Sequence, residues 1–477
     1  MGYFADETEW IDAINIAGNS TASLRERMDR DFNFYRLVPF KMPGKNVDSY
    51  ENVTSNKPAV LANKIMELFA GSRLKFGIPL TEEDKNQRLD VTQTELFAHG
   101  CISLADFHLE QLGMPDVKDL TAFYATIRGY ICNRFWFRES EFRGLKYLLP
   151  DIMPWDVRNC YWGMGKDGLE WVAYKRWATL EQAKEEYGED VEADENGVVN
   201  LINCWDRGYE WTMDGRTQQF LKGKGEKDEH GLDYIPIYIR PVGSVPHLQG
   251  PHISDSIEMV GESVYKNNRI LFERESELLT YHMTITAQGA RTPTVIFYKG
   301  DIPPKLKNDP YKKGGVLFLK EGEDIKPYAT PNLPAESRTS YQMFERMDSM
   351  GGISSIAHGV LDESLPASGI NMLMKSALSV MMPIKKAVEK SFEWLAAEAI
   401  SQFKEGDYDE ITVQGMDNRR KQFYTKIKPG DLTDERQLIA EVVVETPMDE
   451  LSEAGRAVSL VDSKIVSKRF ARDKIIK

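Results

Sequence analysis

Apolar residues recur at helical intervals through the first 140 residues. The stretch 19–33 is charged and carries a candidate N-cap at Ser20 or Thr21. Val60, Leu61, Ile65, Leu68 and Phe69 predict a second helix behind Pro58, which suits a first turn. The pattern continues over 89–112 and 117–136, the latter rich in Leu120, Phe123, Tyr124, Ile127, Tyr130 and Ile131. Such stripes ordinarily face a core. From Phe142 the texture turns to alternation, with strands over 145–164 and 168–177 and a turn at Gly163–Gly168. A short helix over 180–187 and strands over 198–211 and 234–242 follow, with the polar loop KGKGEKDEHG between the two strands.

The next block differs. Residues 253–282 contain no proline and one glycine, and Ile257, Val264, Leu271 and Leu278 recur every seven residues among many charges. So narrow a stripe suits a helix packed beside copies of itself, and equally a helix on the outside of a bundle. PTVIFYKG and GGVLFLKEGEDIKPY read as two short strands of a hairpin unit, joined by a Pro/Lys-rich connection. A second helix over 335–350 leads into a Gly/Ser/Pro-rich loop over 351–369. A loop of that length within a domain usually serves a function. A long helix is predicted over 370–403, kinked at the internal Pro383. Strands over 410–413 and 438–445 and a charged helical segment from Glu450 complete the pattern. Helices first and an antiparallel sheet afterwards make the fold class α+β.

Composition narrows the function. The 477 residues carry 60 basic against 74 acidic side chains, a formal charge of −14. That disfavours a protein that grips phosphate, although not one past which DNA slides. Cys101, Cys132, Cys160 and Cys204 are far apart in sequence, without a CxxC pair, and read as free buried thiols of a reducing cytoplasm. The acidic start lacks a secretory signal, and Asp6 stands where a myristoylation motif needs Ser or Thr. No apolar run approaches the ~18 residues of a spanning helix.

Chemical motifs are sparse. GxxxxGK[ST], GxSxG and HExxH are absent, as is a GxGxxG at any strand-to-helix junction. The seven histidines are scattered. Asp29 and Asp31 of MDRD point apart on a helix, and GDYDE at 406–410 fails the EF-hand pattern. The reading is therefore a non-enzyme with no catalytic, metal or cofactor residues.

The order of elements resembles the portal protein family of tailed bacteriophages. The likeness is most specific in IPIYIRPVGSVPHLQGPHISDSIEMVGESVYKNNRILFERESELL and LPASGINMLMKSALSVMMPIKKAVEKSFEWL. It implies a multidomain portal fold: a wing over 1–252, helical to about 140 and then β-rich, and a first stem helix over 253–285. A clip over 286–333, a second stem helix over 334–350 and a tunnel loop over 351–369 follow. The long wing helix and wing strands would occupy 370–447, and a crown, short or truncated, 448–477. The resemblance further implies a ring, usually dodecameric, at one capsid vertex of the virion, made in the host cytoplasm. It would pass double-stranded DNA with weak contacts and bind the terminase large subunit, a head–tail adaptor and the major capsid or scaffolding protein, but no membrane. Candidate residues are His358, Lys375, Ser354 and Ser355 for the channel, and Ile257, Val264, Leu271 and Leu278 for the stem interface. Lys305, Lys307, Lys312 and Lys313 are the clip candidates. Another ring-forming connector or capsid-assembly protein is the alternative, and a phage nucleic-acid-processing enzyme a more distant one.

Overall fold

Helix and strand segments are mixed along the chain, and the fold is α+β. The computed structural model describes residues 4, 6–44, 50–80, 91–142, 144–188, 191–221, 228–243, 257–290, 294–299, 316–320, 322, 339–344, 346–347, 381–406, 408–433 and 438–444. The chain divides into two units. The larger comprises Met1–Arg30, Lys64–Val264 and Met381–Lys477; the smaller comprises Asp31–Asn63 and Tyr265–Val380. Residues 31–63 thus group with the smaller unit although their sequence neighbours on both sides belong to the larger.

In the larger unit, α1 (Glu7–Ser20) begins at Asp6, whose carboxylate accepts from the Glu9 N–H at 3.0 Å. Asp6 is thus a helix cap. Strands β4 (Cys160–Gly165), β5 (Gly168–Thr179), β6 (Val198–Asp206), β7 (Tyr209–Asp214) and β8 (Asp228–Glu229) pair in that order, all antiparallel. Both faces of this sheet are covered. Trp171 and Ala173 pack with Trp10 and Ile14 of α1, while Val172 between them joins Leu24, Tyr130, Trp155 and Ile237 on the other side. Trp10 meets Trp171 and Trp211 edge-on at 5.7 and 5.1 Å. The period of two thus sorts one strand between two cores.

Helix α2 (Ala22–Tyr35) looks too polar for burial, yet its arginines reach inward. Arg25 donates to the carbonyls of Arg158 and Cys160, and Arg27, only 2% exposed, to those of Glu258 and Arg128. Helices α3 (Lys57–Ala70), α4 (Thr92–Gln111) and α6 (Leu180–Tyr187) fall close to the predicted intervals, whereas α5 (Val117–Ile127) does not. The helix expected over 117–136 stops early. Gly129 adopts φ +71°, and β2 (Tyr130–Phe142) starts at once, between β3 (Leu145–Pro154) and β9 (Ile237–Pro241). A left-handed glycine ends the helix, and alternation through Ile131, Asn133 and Phe135 carries the strand.

Two further expectations are corrected. The continuous helix over 253–285 is broken: residues 257–259 are helical, 260–268 are turn and irregular, and α7 runs only over Arg269–Ala290. Gly261 causes the break. It sits at φ +70°, and its backbone lies so close to Gly129 that neither position has room for a Cβ. The β unit is not a hairpin either, since β10 (Thr294–Tyr298) and β11 (Val316–Lys320) pair in parallel. The connection between them exceeds the roughly dozen residues a parallel crossover needs. Of the long helix expected over 370–403, α8 runs over Met382–Glu405 with Pro383 in its first turn, and residues 370–380 lie outside the described residues. Antiparallel pairs β12 (Ile411–Met416) with β13 (Gln422–Ile427), and β1 (Arg73–Gly77) with β14 (Ile439–Val443), complete the larger unit.

Candidate functional site

The smaller unit is organised around α7. Tyr265, Phe272 and Phe34 meet edge-on at 5.8 to 6.0 Å, and Arg269 forms a two-point ion pair with the fully buried Asp31 at 2.8 and 3.0 Å. Along one side of α7 lies the extended segment Glu51–Ser55. The N–H groups of Glu51, Val53 and Ser55 donate to the hydroxyls of Thr284, Thr280 and Ser276 at 2.9, 3.0 and 3.2 Å. Ser276 and Thr284 pass their own protons to the carbonyls of Phe272 and Thr280. The fit is metric: two residues of extended chain advance about 6.6 Å, four residues of helix about 6 Å. Glu275 closes the ladder, accepting from the Ser55 hydroxyl at 2.9 Å and pairing with Lys57 at 2.5 Å. Lys57 in turn stands 5.9 Å from the ring centre of Tyr341, within the helical residues 339–344.

The opposite side of α7 is open. Ile270 is 67% exposed, with Leu271 and Leu278 half-buried and an Arg274–Glu277 ion pair beside them, while Tyr281, 41% exposed, meets the ring of Tyr50 edge-on at 5.9 Å. Of the four expected interface residues, only Leu271 and Leu278 share a helix. Ile257 packs against the core of the larger unit, and Val264 is buried there with its N–H donating to the Thr126 carbonyl at 3.0 Å. The seven-residue stripe is therefore split by the break at Gly261. The channel candidates His358, Lys375, Ser354 and Ser355, the clip candidates Lys305, Lys307, Lys312 and Lys313, and the crown lie outside the described residues.

Other chemistry is limited. Among the described residues no three His, Cys, Asp or Glu side chains are grouped to hold a metal, and no helix is long and apolar enough to cross a membrane. Asp29 and Asp31 engage different arginines, Arg158 and Arg269. The cysteines are free and buried, but the fold brings Cys132 and Cys160 to 3.8 Å, and burial pushes the Cys160 thiol up. An open apolar cleft of about 780 Å³ runs beside α1, lined by Ile16, Trp162, Met164, Ile257 and Val260.

Two features escape the sequence reading. The hydroxyls of Ser276, Thr280 and Thr284 follow one another at four-residue intervals, a signal present in the sequence but neutral until its partner is known. The second is the run Arg419–Arg420–Lys421, basic in an acidic chain. Compared with models of protein families and with curated proteins, the chain matches none.

Proposed function

We propose that this chain is a portal subunit of a tailed phage. It would be one member of a ring of about twelve at a capsid vertex, conducting double-stranded DNA in packaging and ejection. The ring would dock terminase and then the head–tail adaptor. The observation that carries the reading is the uncovered side of α7. One side of the helix is satisfied within the chain by the hydroxyl ladder, while the other presents Ile270 to solvent next to Leu271 and Leu278. A helix covered on one side by its own chain and apolar on the other suits lateral packing between identical neighbours. The order of α7, the β10–β11 pair and the helical residues 339–344 and 346–347 agrees with stem, clip and second stem. The charge of −14 per subunit suits a conduit, since each neutralised phosphate would add affinity and slow translocation.

Ile270→Asp changes an exposed residue, so the monomer should melt as the wild type does, and Tyr281→Asp should lower the melting temperature only by the loss of its edge contact with Tyr50. Both should abolish ring formation in mass photometry. Leu271→Asp and Leu278→Asp should do the same at some cost in stability. Rings that persist in all four variants would remove α7 from the subunit interface.

A further inference from the structure

We propose that the β12–β13 hairpin is a docking surface for the phosphate backbone of duplex nucleic acid. The inference stands on the larger unit alone and does not depend on the ring.

Residues 411–428 contain Arg419, Arg420, Lys421, Lys426 and Lys428, and a single acid, Asp417. The tip is held in a fixed form. The Asp417 carboxylate accepts from the N–H groups of Arg419 and Lys421, both at 2.8 Å, and so closes the turn. Asn418 points inward: its Oδ1 accepts from the Phe76 N–H at 3.0 Å and lies 2.8 Å from the His99 ring, while its Nδ2 donates to the Phe76 carbonyl. With the acid and the amide committed to the scaffold, Arg419, Arg420 and Lys421 remain exposed at the tip. One face of the hairpin is closed, because Val413 packs against Gly100 of α4 with no space for a Cβ there. The other face is open and carries Gln414, Met416, Gln422, Tyr424 (73% exposed) and Lys426. Lys426 is paired with Glu410.

Arg420 has φ +61°. An arginine is strained there, and glycine or asparagine would fill the turn more easily. A cation kept in a strained position of an exposed turn points to a use for the cation. The acidity of the rest of the chain does not cancel this patch, because exposed charges beyond about 8 Å are screened at physiological salt. Duplex nucleic acid fits better than an acidic protein. Its charges repeat regularly along each strand, a two-stranded ribbon enters its major groove, and the hairpin face offers only Met416 and Tyr424 as apolar anchors.

The test is anisotropy of a labelled duplex titrated with the full chain between about 50 and about 200 mM salt. Three phosphate contacts predict a slope of log affinity against log salt near −3. The combined variant Arg419→Gln, Arg420→Gln, Lys421→Gln should bind at least roughly tenfold more weakly at the lower salt, with a nearly flat slope. Arg420→Gly should weaken binding while leaving the melting temperature equal or higher, which separates the contact from the fold. Unchanged binding in the combined variant, or absence of binding by the wild type at the lower salt, would overturn the proposal. So would polyglutamate displacing the duplex at equal charge, which would identify an acidic protein as the partner.

Discussion

Asp106 sits on α4 and accepts from the N–H of Val117, the first residue of α5, at 2.8 Å, so one helix caps the next. Burial pushes its carboxyl up from the ordinary 3.8 to about 7. The folded-state value lies above the unfolded one, so this group's contribution is complete below about pH 4 and is lost as pH rises through about 7. Asn keeps the acceptor and removes the charge. Asp106→Asn should therefore raise the urea midpoint near pH 8 and leave it unchanged near pH 4; equal effects at both values would refute the assignment. Gly261 gives a second expectation at this scale. An alanine there meets the ring of Tyr130 and the Gly129 backbone at a positive φ, and should cost upwards of about 1 kcal/mol in chemical denaturation. The residue chemistry was only partly legible. That Asp29 and Asp31 diverge follows from helical geometry alone. That Arg25 and Arg27 of LRERMDRD are buried does not, because a guanidinium reads as surface until backbone carbonyls converge on it.

At the scale of elements, periodicity located α3, α4, α6 and β5 to within a few residues, but it ran β3 into β4 and β6 into β7 and left β8 in a loop. It failed where one residue overrides the period. Gly129 ends α5 and turns an apolar helical stripe into the start of β2; Gly261 breaks a seven-residue repeat that runs through it without interruption. Parallel pairing of β10 and β11 was likewise hidden, since two short apolar runs carry no sign of direction. The hydroxyl ladder was invisible for another reason: Glu51–Ser55 is polar and reads as loop, and its order comes from Ser276, Thr280 and Thr284 far along the chain. Thr280→Val preserves shape but leaves the Val53 N–H without its acceptor. It should cost about 1–3 kcal/mol and speed amide exchange at Glu51–Ser55. Unaltered exchange there would mean that the segment is held by other contacts.

On the whole-molecule scale, net charge and local charge lead to different conclusions. An acidic chain with a basic hairpin is repelled by nucleic acid at long range and can still contact it at one place. The α+β class and the absence of catalytic motifs could be read without coordinates. The separation into two discontinuous units could not, because residues 31–63 join the smaller unit through contacts with Tyr265–Val380 that no local pattern announces. The central claim is assembly, and imaging of the purified full chain tests it most directly. Negative-stain particles should show a ring with a central hole and about twelve times the 54.5 kDa mass of one chain. A particle of single-chain mass at every concentration would contradict the account.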